Sequence, residues 1–219
     1  MVDYFIKGGT VMYPLLLLSV LAFGVAIERL YFLSKIKTNT KEFVEKIFLA
    51  LSNNLVSEAL QTCETYSGAI ARMLKAGLKK HQKGRDEVEK AIASSGSLEV
   101  AKMERGLSLL QSIAAIAPLL GFLGTVMGMI SSFDAMGKTG NASEVAIGIS
   151  EALITTAAGL IVAIPASFLK NYFGNKINNF VYEMEESSMN FLNALEELEE
   201  KVAQRSSQTG AIGGEYLEF

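Results

Sequence analysis

Tryptophan is absent from this chain of 219 residues, proline occurs three times, and cysteine and histidine once each. With so few prolines and few turn clusters, long helices are the natural local structure. A single cysteine, Cys63, cannot close an intrachain disulfide; it is read as an ordinary small residue in a segment inside the cell. A single histidine nearly excludes a conventional catalytic triad, and no His/Cys cluster has metal-ligand spacing. There is no Gly-x-x-x-x-Gly-Lys-Ser/Thr loop to cradle nucleotide phosphates. An excess of either charge is missing too: 20 Lys/Arg against 23 Asp/Glu leave a net −3, too little to call for nucleic acid or an acidic ligand. The residues therefore call for no enzyme, no cofactor and no metal.

What the chain has is apolar length. Half of it is hydrophobic and the mean hydropathy is +0.30, more than a soluble domain of this size needs. Three segments reach the roughly 20 apolar residues that cross a bilayer. The first is 11–33, ending on Glu28, Arg29 and a short apolar remainder; the second is 107–133, without a charge; the third is 144–169, where Glu151 is the one charge after Glu144. The first segment lacks the basic start and small-residue cleavage site of a signal peptide and is read as a span. The expected fold is an all-α integral membrane protein, three transmembrane helices with long cytoplasmic helical extensions.

Charge sets the orientation. Segment 34–106 carries 13 Lys/Arg against 9 Asp/Glu, whereas the link 134–143 carries one base, Lys138. Positive charge stays in the cytoplasm, so the N-terminus is placed outside and the large loop and tail inside. Residues 1–10 form a periplasmic or interfacial lead-in with Tyr4 and Phe5 at the headgroup level, and 134–143 a periplasmic loop. In the cytoplasmic loop, Phe43, Ile47, Leu51 and Leu55, and then Ile70, Leu74 and Leu78, recur every four residues as helix faces. Gly68, Gly84 and Gly96 are read as breaks or bends, and His81 with Lys79, Lys80 and Lys83 as a solvated face. Beyond the third span, 170–205 continues as a helix with a stripe of near-heptad spacing (Ile177, Met184, Phe191, Leu198 and their neighbours) interrupted by Ser188. Residues 206–219 read as a flexible tail.

The functional constellation lies in the last two spans. Glu151 and Thr155 stack on one helix face, Thr156 is offset, and Gly148 and Gly159 extend a low-volume strip. Gly121, Gly124, Thr125 and Gly128 form a similar narrow surface on the second span, including a Gly-x-x-x-Gly. Small residues let helices approach and hydroxyls bond between them. A carboxylate mid-bilayer costs about 2.5–3.5 kcal/mol or more and is usually there for function; Glu151, seven residues from Glu144, sits roughly 10 Å deep at 1.5 Å per residue. Without a nucleotide site, the energy source is an ion gradient, worth about 2.3 kcal/mol per charge per 100 mV. The competing reading of a different class is a non-conducting scaffold in which Glu151 and the glycines only stabilise an oligomer.

At these residues the sequence resembles the ExbB/TolQ/MotA family of proton-channel proteins, and within it the ExbB/TolQ branch. The resemblance covers nearly the whole chain in layout: an outside N-terminus, one span, a large cytoplasmic loop, two spans and a cytoplasmic helical tail. It is carried by Gly121-Phe-Leu-Gly-Thr-Val-Met-Gly-Met-Ile-Ser-Ser-Phe133, Gly148-Ile-Ser-Glu-Ala-Leu-Ile-Thr-Thr-Ala-Ala-Gly-Leu160, Ala163-Ile-Pro-Ala166, Gly9-Thr-Val-Met-Tyr-Pro14 and Ile27-Glu-Arg-Leu30. It implies a bacterial inner-membrane homo-oligomer, a pentamer, around ExbD- or TolR-like single spans whose intramembrane aspartate binds the proton. It further implies that proton flow energises a TonB- or TolA-like protein. Carried over by position, Thr125 and Thr156 become pore hydroxyls and Glu151 the intramembrane glutamate, with Thr155 a further pore-adjacent candidate. Gly121, Gly124, Gly128, Gly159 and Pro165 are assigned to helix packing. Met127 stands where relatives have Trp, which alters packing rather than the channel idea. An ExbB-like role with TonB is the first reading and a TolQ-like role in envelope integrity the second; three spans argue against a flagellar stator.

Overall fold

The computed structural model describes residues 5, 8–35, 40–53, 55–66, 68–140 and 142–213. Among them the chain is helical and no strand occurs. The helices are α1 (Met12–Lys35), α2 (Thr40–Ser52), α3 (Val56–Thr65), α4 (Ala69–Leu78), α5 (Arg85–Glu104), α6 (Leu107–Thr139) and α7 (Ala142–Gly213), with a 3-10 turn at His81–Lys83 before α5. Three helices are long and apolar enough to cross a membrane: α1, α6 and the first part of α7. The all-α, three-span class read from the sequence is the class observed. Tyr4, on the interfacial lead-in, lies outside the described residues; Phe5 stacks edge-on against Tyr13, ring centroids 5.5 Å apart.

The chain divides into two compact units, 1–32 with 104–176, and 33–103 with 177–219. In the first, Pro14 sits in the opening turn of α1, where its missing N–H has no helical partner to lose. The core of this unit gathers Val11 and Leu15, Ala117 of α6 and Ala163 of α7. Gly106 and Gly140, with φ of 86° and 66°, bracket α6, and the Gly140 N–H donates to the Met136 carbonyl at 2.9 Å, a left-handed glycine cap. A side chain at Gly106 would meet Val25 Cγ1 at 3.2 Å and Arg29 Nε at 3.6 Å. Arg29 is buried, and its guanidinium forks onto both Glu28 oxygens at 2.5 and 2.7 Å, the pairing that a buried cation requires.

The link expected as a loop over 134–143 is mostly helix, because α6 runs on to Thr139. Proline is absent from 134–139 and the single Gly137 does not end the helix, while Lys138 pairs with Asp134 one turn away at 2.6 Å. Helix α7 likewise continues to Gly213, through residues expected to begin a flexible tail; Ser206, Ser207, Gln208 and Thr209 include no helix breaker. Residues 214–219 lie outside the described residues.

In the second unit the four-residue spacings end up inside. Phe43, Ile47 and Leu51 are buried, as are Ile70, Leu74 and Leu78. Leu55 is exposed because α2 stops at Ser52 and the series loses its face. On α7, Ile177, Met184, Phe191 and Leu195 are buried, and the polar interruption of that stripe is Ser187, whose hydroxyl donates to the Glu183 carbonyl at 2.7 Å. Gly84 is a true break with φ 90°. Gly96 is not: it lies within α5, and a Cβ there would meet Met73 Sδ at 3.3 Å and Met184 Cε at 3.7 Å. It is a buried helical position packed against two methionine side chains. His81 Nδ1 lies 2.7 Å from the Leu78 carbonyl. Burial pushes the Cys63 thiol up to about 12, consistent with an inert buried residue.

Buried Glu99 holds Arg72 at 2.5 Å and Lys102 at 2.7 Å. Burial alone would raise its carboxyl pKa, but the hydrogen bonds from Arg72 and Lys102 outweigh that and hold it below the usual value. With the folded pKa below the unfolded one, this stabilisation is in place at neutral pH and is lost as pH falls through the folded value. Glu99→Gln is expected to cost about 1 kcal/mol at pH 7, both cations being half-exposed. Thermal unfolding of the purified protein should show that gap closing below about pH 4. A gap that persists unchanged in acid would contradict the ion-pair account.

Candidate functional site

Helices α6 and α7 lie against each other in opposite directions along a seam of small residues. A Cβ on Gly159 would stand 2.6 Å from the Ala117 carbonyl and 3.1 Å from Gly121 Cα. One on Gly121 would stand 3.0 Å from both the Thr155 carbonyl and Thr156 Cα. Further along, Gly124 faces Thr155 with its Cβ position 2.6 Å from Thr155 Cβ, and Gly128 faces the Gly148 carbonyl at 3.0 Å and Ala152 Cβ at 3.2 Å. Gly148 in turn meets the Ser132 hydroxyl. Residue numbers climb on α6 as they fall on α7, a run of more than three turns with no side chain larger than threonine between the backbones.

This approach determines what the hydroxyls do. Thr156 Oγ1 donates across the seam to the Gly121 carbonyl at 3.2 Å. Thr155 is almost fully buried, 1% exposed, and its hydroxyl donates to Ala152 O at 2.8 Å with Gly121 O at 3.5 Å. Thr125, half-buried, donates to Phe122 O of its own helix at 2.6 Å, and Ser132 donates to Gly128 O at 2.7 Å. Each proton is committed to a carbonyl while the oxygen lone pairs stay available, so a hydroxyl can accept a bond without losing its own. Pro165 lies inside α7 with its ring exposed; lacking an N–H, it leaves the Ile161 carbonyl without its helical partner.

Glu151 stands one turn before Thr155 on α7 and is half-buried, but its carboxylate does not enter the seam. It lies against the backbone of Gly9, in the turn that leads into α1. The structure thus brings Gly121, Gly124, Gly128 and Gly159 together with Thr155 and Thr156, leaves Thr125 at the edge, and sets Glu151 on the neighbouring face. Ser132, Gly148 and Gly9 complete the arrangement. Gly148 is visible in the sequence as part of the low-volume strip; the other two have no spacing signal beyond the run of small residues for Ser132 and the doublet Gly8-Gly9. Among the described residues no group of three His, Cys, Asp or Glu could hold a metal.

With this geometry in view, comparison with known proteins is informative. The model of the MotA/TolQ/ExbB proton channel family matches residues 66–186, which include α6 and the part of α7 that forms the seam. A putative biopolymer transport protein ExbB-like 1 from Synechocystis is 41% identical over 169 residues, covering 75% of this chain and 66% of its own length. A putative biopolymer transport protein ExbB homolog from Methanothermobacter thermautotrophicus is 31% identical over 184 residues, 84% of this chain and 66% of its own. The biopolymer transport protein ExbB of Xanthomonas campestris is 43% identical over 96 residues, 43% of this chain and 38% of its own. At 66%, the chain spans slightly less than two thirds of the first two relatives.

The seam has a direct test. Gly124→Ala forces a methyl onto Thr155 and should destabilise the protein by about 1–3 kcal/mol. Gly137→Ala, on the same helix with nothing within 4 Å, should be neutral or slightly stabilising. Thermal unfolding of the two purified variants compares them; equal midpoints would show that the seam tolerates a methyl and is not close-packed.

Proposed function

Because the chain belongs to the MotA/TolQ/ExbB proton channel family, on its ExbB side, and is a multi-pass membrane protein, we propose that it forms the wall of an oligomeric proton channel. The observation that carries this reading is the pairing of a half-buried carboxylate with a hydroxyl-bearing seam inside spans that are otherwise uncharged. A membrane protein that needed only packing would leave out Glu151, since small residues alone hold such helices together. Thr125 and Thr156 are the hydroxyls that line the path, Thr155 supports it from within the seam, and Glu151 tunes or relays protons. Pro165 shapes the inner part of the third span.

The wall encloses a single-span partner of ExbD or TolR type, whose intramembrane aspartate takes the proton. Proton flow then moves that partner and energises a TonB-type protein; the assembly that goes with this reading is a five-membered ring in the bacterial inner membrane. The excess of Lys/Arg in 34–106 supports a cytoplasmic position for that segment and the end of α7 and a periplasmic one for residues 1–10. TolA-type coupling is the second version of the same reading. The partner's periplasmic domain separates the two.

Purification in mild detergent from native membranes, with mass spectrometry of whatever co-purifies at fixed stoichiometry, should yield a single-span protein with an intramembrane aspartate. Glu151→Ala is expected to abolish energised transport while the complex still assembles. Loss of the complex itself would favour the scaffold reading. Thr125→Val and Thr156→Val conserve volume and delete a hydroxyl; coupling should fall in both, and Thr156→Val should also lose about 1 kcal/mol of stability with its cross-seam bond. Undiminished coupling in both would remove the hydroxyls from the path.

A further inference from the structure

We propose that the Gly8-Gly9 turn ahead of α1 is the seat that positions the Glu151 carboxylate. Its functional consequence rests on the channel reading; the contact itself does not. The two glycines dock on one stripe of α7. A Cβ on Gly8 would stand 3.4 Å from Ile154 Cγ2, and one on Gly9 would collide with Glu151 Oε1 and lie 3.2 Å from its Cδ and 3.9 Å from its Cγ. Residues 151 and 154 are three apart on a helix and so share a face. The Gly9 α-hydrogen in the side-chain direction therefore points at the carboxylate oxygen, a weak C–H···O interaction. Gly9 has φ 65°, a conformation that glycine adopts freely and other residues rarely.

The turn is braced on both sides. Gly8 N–H donates to the Phe5 carbonyl and Met12 N–H to the Gly9 carbonyl, each at 3.3 Å, and Phe5 packs edge-on against Tyr13. Gly8 itself is buried, wedged against Met12, whose Sδ would lie 2.7 Å from an added Cβ. A braced backbone facing a flexible side chain decides which of the two yields. A side chain at position 9 would push the carboxylate aside and leave the turn in place. Gly9 is thus a positioning residue: it fixes where Glu151 presents its oxygens without handling protons itself.

The test uses the full chain in its native membranes. Gly9→Asn supplies a Cβ on a residue that tolerates positive φ, and Gly24→Ala, a site with nothing within 4 Å, is the control. Dicyclohexylcarbodiimide, which modifies carboxyl groups in apolar surroundings, is added, and the modified fraction of residue 151 is read by peptide mass spectrometry. Gly9→Asn should change the rate severalfold and Gly24→Ala should not; an unchanged rate in Gly9→Asn overturns the seat. A thermal-unfolding cycle reads the same contact without the reagent. Gly9→Asn should lower the midpoint in the native background and have little effect beside Glu151→Ala; equal losses in both backgrounds also overturn the seat. Proton flux in liposomes with the co-purified partner separates the two levels. Reduced flux in Gly9→Asn supports positioning, and full flux with altered labelling refutes it. No flux from the native complex defeats the channel reading and leaves the seat to the labelling and the thermal cycle.

Discussion

The close approach of α6 and α7 is the constraint on which the functional region depends. Three glycines on one helix and Gly148, Ala152 and Gly159 on the other remove the side chains that would hold the backbones apart. In an apolar surrounding there is no hydrophobic gain from bringing two helices together, so packing and interhelical hydrogen bonds must supply the attraction. The Thr156 to Gly121 bond is possible only because no Cβ stands at position 121. Once that register is set, Thr155 is enclosed, Thr125 is left at the rim, and Glu151 is turned toward the lead-in of α1. A methyl at Gly121 or Gly124 would fall on Thr155 or Thr156 and disturb this contact directly.

Helix α7 shows the same requirement met in two ways along one continuous run. Through the span its buried positions are small: Ala152, Thr155, Gly159, Ala163 and Ala166. Its large residues there, such as Ile161, Ile164 and Phe168, are exposed, which suits a lipid-facing surface and would be costly in water. From Phe173 the pattern inverts, and Phe173, Ile177, Met184, Phe191 and Leu195 are buried while glutamates occupy other faces, Glu183, Glu185 and Glu186 among them. There the gain comes from removing apolar area from water, and large side chains give the most. The change of side-chain size at one helix face marks where the solvent of the helix changes.

Much of this is legible in the sequence because it depends on local rules. Uncharged runs of sufficient length mark the spans, and four-residue spacing identifies the inner faces of α2 and α4. The glycines of the seam stand out as a narrow surface because their spacing fits one helix side. What the sequence hides depends on partners distant along the chain. Gly96 looks like a break, yet it sits inside α5 packed against Met73 and Met184, and nothing near position 96 announces them. The contact between Gly9 and Glu151 joins residues 142 positions apart (151 − 9), so neither periodicity nor motif could pair them. The helical link at 134–139 reads as loop because a lone base between two spans resembles a connection; α6 nonetheless continues through it, with an exposed Asp134–Lys138 pair one turn apart.

The central claim, that these spans wall a proton path, is tested most directly by proton flux. The protein, reconstituted with the single-span partner proposed for it in liposomes carrying a trapped pH indicator, is given an inward potential. The account predicts acidification that requires the partner and stops in Glu151→Ala. An intact complex that holds the potential without acidification would contradict it and leave a membrane scaffold.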